Sequence, residues 1–254
     1  VRAAGYLCEA SGMDRVFFTN SGAEAIEGAL KLARKYVRTK NPDNKGEIIA
    51  MEHSFHGRTM GALSVTGTKH YREPFEPLIG GVSFAQYNDL DSVERLFQQY
   101  PSEIACVIVE PVAANMGVVV PKKSFLPGLR QLCDQYGALL IFDEVITGFR
   151  LQIDGAIGHF GITPDLVTYG KIIGGGMPVG AYGGRKEIMQ LVSPLGSVYQ
   201  AGTLSGNPVA MCAGLTQLRY LKAHPEVYRQ IGFLSHRLRS GLEEIIRRYH
   251  APCT

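Results

Sequence analysis

Apolar residues fall into two alternating patterns along this chain. Short unbroken runs such as Ala105-Cys106-Val107-Ile108-Val109 and Leu139-Leu140-Ile141-Phe142 lack the polar alternation of a half-exposed strand, so they predict strands buried on both faces. Between them lie stretches with helical spacing. Phe125, Leu129, Leu132, Cys133 and Tyr136 share one face of a helix over 125–136, and Leu90, Val93, Leu96 and Phe97 do so over 89–100. Arg15–Asn20 reads as a short strand, followed by a helix opened by Ser21-Gly22-Ala23-Glu24-Ala25 that runs through Ala33 to about Val37. Further strands are predicted over Glu47–Met51 and Leu139–Val145, and a helix over Val227–Tyr249. The alternation predicts an α/β fold with a mainly parallel sheet covered by helices, in which ligands sit at the carboxyl ends of the strands.

With 254 residues and 45% hydrophobic content, residues 1–254 can bury one large core. The formal net charge of +3 is modest. Arg229, Arg237, Arg239, Arg247 and Arg248 alternate with Glu243 and Glu244, which reads as a solvated helix face rather than a nucleic-acid stripe. The five cysteines are scattered and odd in number, and Cys106, Cys133 and Cys212 fall in apolar stretches. This favours a reducing, cytoplasmic setting, with organelles left open because the N-terminus reads as cut into a helix. No apolar run is long enough to span a membrane.

The chemistry gathers around Lys171, which follows Asp165-Leu166-Val167-Thr168-Tyr169-Gly170 and precedes the glycine-rich run 174–180. In the strand predicted over 139–145, alternate side chains share a face, so Asp143 points with Ile141 and Val145 while Glu144 points the other way. A single acid facing a ligand does not suit a paired-carboxylate hydrolase. It suits an acid under a pyridine ring, with Lys171 as Schiff-base anchor, and so suggests pyridoxal 5'-phosphate. The start of the helix at Ser21-Gly22-Ala23 could dock the phosphate, although Ser21 and Glu24 equally form a capping box that needs no ligand. Phe55 could stack on a planar ring, and Arg58 could pair with a substrate carboxylate. His53 and His56 lack a third ligand at metal-site spacing, so no metal is expected. The Gly174-Gly175-Gly176 run lacks the features of a P-loop or a dinucleotide fingerprint.

Asn20-Ser21-Gly22-Ala23-Glu24-Ala25, Phe55-His56-Gly57-Arg58-Thr59, Glu110-Pro111-Val112, Phe142-Asp143-Glu144-Val145, Gly170-Lys171-Ile172 and Gly202-Thr203-Leu204-Ser205-Gly206-Asn207-Pro208 occur in this order. This series resembles the class III aminotransferases, pyridoxal-phosphate enzymes of fold type I. The resemblance implies that 1–254 is the large cofactor-binding domain, with a seven-stranded-type sheet, and that the family's N-terminal segment and C-terminal small domain are absent or truncated. It implies Lys171 and Asp143 as catalytic residues. Ser21, Gly22, Ala23, Phe55, His56 and Val145 would bind cofactor, and Thr203 would do so from the neighbouring subunit of a homodimer. Arg58, Glu110 and Asn115 would bind substrate.

The first part of the chain looks like the acetylornithine and ornithine type, with its arginine at Arg58. From about Glu110 onward it looks like glutamate-1-semialdehyde 2,1-aminomutase, including Asn115 and the run from Gly170 to Arg185. The resemblance therefore implies transfer of an amino group from an amino acid or ω-amino compound to a 2-oxo acid, with neither nucleic acid nor membrane as partner. Intramolecular transfer by an aminomutase, in tetrapyrrole biosynthesis, is the alternative. A catalytically inactive cofactor-binding fragment or interaction module is an alternative of another class.

Overall fold

The computed structural model describes residues 1–252, so Cys253 and Thr254 lie outside it. Its elements in chain order are α1 (Arg2–Ser11), β1 (Arg15–Thr19), α2 (Gly22–Lys40), β2 (Glu47–Met51), α3 (Met60–Ser64), α4 (Lys69–Arg72), β3 (Val82–Ala85), α5 (Leu90–Gln99) and β4 (Ile104–Val109). Then come α6 (Phe125–Tyr136), β5 (Leu139–Asp143), α7 (Gly155–Phe160), β6 (Leu166–Tyr169), β7 (Gly180–Gly184), α8 (Lys186–Met189), α9 (Pro208–Ala223) and α10 (Glu226–Tyr249).

The strands form one sheet in the order β1-β7-β6-β5-β4-β2-β3. β3, β2, β4, β5 and β6 run parallel, while β7 is antiparallel to both β6 and β1. Because β7 alone is reversed, the carboxyl ends of the other six strands and the entrance of β7 share one edge.

Strand residues alternate between two cores. Ile48, Ala50, Cys106, Ile108, Leu139 and Ile141 pack toward α2, whereas Ile49, Met51, Val107, Val109, Leu140 and Phe142 pack toward α1, α5, α6 and α9. All six residues of β4 are buried, which is why its sequence shows no alternation. Gly28 allows α2 to lie close on the sheet, since a Cβ there would run into the Tyr182 ring of β7.

Several boundaries differ from the sequence reading. β5 ends at Asp143 rather than Val145, because the Asp143 Oδ1 accepts the Val145 N–H at 3.0 Å and folds the chain out of the ladder. α2 continues to Lys40, its last turn tied down where Arg38 donates to the Asn44 carbonyl at 3.1 Å. α10 has no buried residue, in keeping with a solvated face, yet it also exposes Phe233, Leu234 and Leu238.

Candidate active site

The shared sheet edge opens into a cavity of about 420 Å³ lined by Ser21, Gly22, Ala23, Phe55, His56, Arg58, Glu110, Asp143, Val145 and Lys171, together with Ile146 and Met177–Val179. The chain delivers these residues from the exits of β1, β2, β4, β5 and β6 and the entrance of β7, where a mainly parallel sheet places its ligands.

Asp143 is buried and lies at the floor. Its Oδ2 meets the His56 Nδ1 at 2.7 Å, and its Oδ1 takes the Val145 N–H and, at 3.4 Å, the Thr168 hydroxyl. The His56 side chain is fully buried, its backbone N–H donates to the Thr66 Oγ1 at 2.9 Å, and its Nε2 has no partner.

Glu144 leaves the strand on the opposite side, as alternation predicts. Its carboxylate accepts the N–H groups of Ala156 and Ile157 at 2.6 and 3.2 Å and the Thr147 hydroxyl at 3.0 Å. Burial outweighs these bonds and pushes its carboxyl up to about 7. Glu110 is buried too, and desolvation raises its carboxyl above the usual range against the lowering influence of His56. It accepts the Phe55 N–H at 2.9 Å and the Ala114 N–H at 3.4 Å, fixing the exit of β2 to that of β4.

The start of α2 carries a variant of the capping box, in which Glu24 reaches the N–H of Asn20 rather than that of the cap residue Ser21. Ser21 Oγ accepts the Glu24 N–H at 3.2 Å, and Glu24 accepts the Asn20 N–H at 2.7 Å. The Ser21 hydroxyl proton remains free to donate, and the Gly22 and Ala23 N–H groups have no intrahelical acceptor. Val145 sits between two glycines: a Cβ on Gly22 would approach its Cγ2 to 2.8 Å, and one on Gly170 would approach its Cγ1 to 3.2 Å. A side chain on Gly180 would overlap the Ser21 carbonyl.

Lys171 follows directly. It is exposed to the cavity and opens a 3₁₀ turn over Lys171–Gly174 with φ 44°, a left-handed backbone unusual for a residue with a side chain.

Two residues singled out in the sequence are elsewhere. Asn115 is exposed on the turn 115–117, and Thr203 is exposed on the loop before α9; neither lines the cavity. Conversely, Thr66, Thr168 and Glu27 carry no signal of a site role in their sequence surroundings. Glu27 Oε1 accepts the Thr59 hydroxyl at 2.7 Å and the Gly61 and Ala62 N–H groups at 2.8 and 3.1 Å, clamping the Phe55–Thr59 loop to α2. Its partners lie more than thirty residues away, beyond any local pattern. Among the described residues no cluster of His, Cys, Asp and Glu could hold a metal, and no helix is long and apolar enough to cross a membrane.

The sequence profile described as Aminotransferase class-III matches residues 1–252. Glutamate-1-semialdehyde 2,1-aminomutase 2 of Lachnoclostridium phytofermentans is 52% identical over 98% of this chain and 59% of its own length. The glutamate-1-semialdehyde 2,1-aminomutase of Alkaliphilus oremlandii is 53% identical over 92% of this chain and 55% of its own. The chain thus spans well under two thirds of these relatives. Among solved structures, an omega-transaminase from Sphaerobacter thermophilus superposes with a TM-score of 0.83 at 34% identity, over 97% of this chain and 58% of that one. The ornithine aminotransferase of Toxoplasma gondii gives 0.84 at 31%, over 97% and 57%.

Proposed function

Since this chain belongs to the class-III aminotransferase family, we propose that it carries the site of an enzyme that uses pyridoxal 5'-phosphate to move an amino group from an amino acid or ω-amino compound to a 2-oxo acid. The observation that carries this reading is the convergence of Lys171, Asp143 and the start of α2 on one cavity. The donor set fits the cofactor group by group: one amine, one buried carboxylate, a hydroxyl beside a helix N-terminus, and two apolar walls, Phe55 and Val145.

When bound, the cofactor supplies an electron sink for the substrate carbon that loses and regains a proton. Asp143 would hold the ring nitrogen protonated, and His56, bonded to its Oδ2, fixes that carboxylate in place. Ser21, Gly22 and Ala23 would hold the phosphate with a hydroxyl and backbone N–H groups. Lys171 would be the residue that anchors the cofactor, and its Nζ would carry the proton at the reacting carbon. Arg58 receives a substrate carboxylate at the mouth. Glu110 acts at one remove by anchoring the Phe55 backbone. Thr203 is assigned to the cavity of a second copy in a homodimer, which accounts for its exposure outside its own.

The names of relatives near 50% identity favour a second reading, intramolecular transfer on glutamate-1-semialdehyde. Incubating that compound with enzyme and no added acceptor separates the two. Rearrangement supports the aminomutase, whereas dependence on an added 2-oxo acid supports the transaminase.

The cofactor site is tested by a visible spectrum of the chain with pyridoxal phosphate, borohydride treatment and peptide mass mapping. The expected result is an absorption band abolished by borohydride and the cofactor mass on the Lys171 peptide, both missing in Lys171→Ala. An adduct at another lysine, or an unchanged band in the variant, would sink the assignment.

A further inference from the structure

Arg58 stands at the cavity mouth with no carboxylate in ion-pairing reach among the described residues. Its guanidinium instead lies over the ring of Tyr71, 5.3 Å from the ring centre. Tyr71 belongs to the four-residue α4 and does not line the cavity itself. The same ring meets Phe55 edge-on, with centroids 6.2 Å apart and planes at 89°, and packs against His70 at 4.2 Å. One tyrosine therefore touches both the arginine at the mouth and the aromatic wall of the cavity.

The backbone around Arg58 is already fixed. Gly57 precedes it at φ 132°, where an added Cβ would press on Ala23, and Glu27 holds Thr59, Gly61 and Ala62 on its far side. What remains free is the long side chain, and an unrestrained arginine loses substantial rotamer entropy when it grips a ligand. Contact with an aromatic ring removes part of that freedom beforehand and takes up none of the guanidinium's hydrogen bonds to an anion. The N–H fork at its edge stays available for a planar anion.

We propose that Tyr71 is a positioning residue that presets the Arg58 guanidinium to receive the carboxylate of the amino donor or acceptor. The proposal rests on the functional reading given above. It predicts that carboxylate affinity depends on the Tyr71 ring and not on its hydroxyl, and that the dependence operates only through Arg58.

The experiment is calorimetric titration of the cofactor-free chain with glutarate, a dicarboxylate with neither amine nor oxo group. It uses wild type, Tyr71→Phe, Tyr71→Leu, Arg58→Ala and the Arg58→Ala/Tyr71→Leu double variant. Tyr71→Phe is expected to bind within about twofold of wild type, and Tyr71→Leu about two- to fivefold more weakly, the range of an exposed cation–π contact. Arg58→Ala should weaken binding by about tenfold or more, with no further loss in the double variant, the signature of coupled residues. The proposal is overturned if Tyr71→Leu binds like wild type, if Tyr71→Phe is as weak as Tyr71→Leu, or if Tyr71→Leu costs as much without Arg58 as with it. It also falls if glutarate does not bind the wild type. Failure of the cofactor assignment would appear separately, as a missing visible band in wild type, because the titration needs no cofactor.

Discussion

Two adjacent carboxylates, Asp143 and Glu144, have opposite surroundings one peptide apart. Asp143 faces the cavity with a histidine behind it, while Glu144 is shut away against the start of α7. A carboxyl raised from its ordinary value near 4.5 to about 7 costs nothing below 4.5, where both folded and unfolded chains hold the proton. Between those values the unfolded chain ionises and the folded one does not, so stability falls as pH rises, and above about 7 the cost is constant. Glu144→Gln should therefore flatten the decline of the thermal midpoint between pH 4.5 and 7, which a melting series against wild type would measure. At Asp143 the expected loss is functional: Asp143→Asn should fold normally yet, on the proposed reading, lower any transfer rate by about a hundredfold or more, since it would remove the acid assigned to the cofactor ring. The divergence of these two side chains was legible from strand alternation alone. The His56–Asp143 bond was not, because nothing local links residues that meet only when β2 and β5 are placed in one sheet.

Glycines govern how the elements approach one another around the cavity. Gly22 and Gly170 flank Val145, and Gly180 leaves room for the Ser21 carbonyl, so the start of α2, the exit of β5 and the entrance of β7 lock together through absent side chains. Gly180→Ala should lower stability by about 1–3 kcal/mol in denaturant titration, as overpacking does. On the proposed reading it should also weaken binding of pyridoxal phosphate, because it would displace Ser21. A sequence marks such glycines as permissive but cannot say what they admit. The helices over 89–100 and 125–136 were legible to within a residue, since amphipathic spacing fixes them internally. The end of β5 was misjudged because an aspartate side chain, rather than strand propensity, closes the ladder.

Across the whole molecule, the sheet separates function from stability by edge. Opposite the cavity, Asp165 accepts the Arg130 Nη1 at 2.8 Å, the Arg185 Nη2 at 2.7 Å and the Leu140 N–H at 2.7 Å, joining α6, β5, β6 and the exit of β7. Asp165→Ala leaves the Leu140 N–H without this acceptor and leaves Arg130 and Arg185 with only Asp134 and Glu187 as ion-pair partners, and should cost about 2–3 kcal/mol. That is less than the roughly 3–5 kcal/mol of a fully buried pair, because Arg185 is half-exposed. The thermal midpoint should drop while the cofactor band of the folded protein is unchanged. The α/β class and the dominance of parallel strands could be read from the buried runs, but the reversal of β7 could not, since strand direction leaves no mark on composition. That reversal bears on assembly during synthesis. β1 is made before the other six strands, yet among the described residues its one neighbour in the sheet is β7, the last of the seven to be made, with Arg15 opposite Gly184. Long-range closure of this kind is slow to form. The Ser21–Ala23 corner is therefore among the first parts of the cavity to be made and the last to be seated, and until then the nascent chain carries an unpaired strand edge.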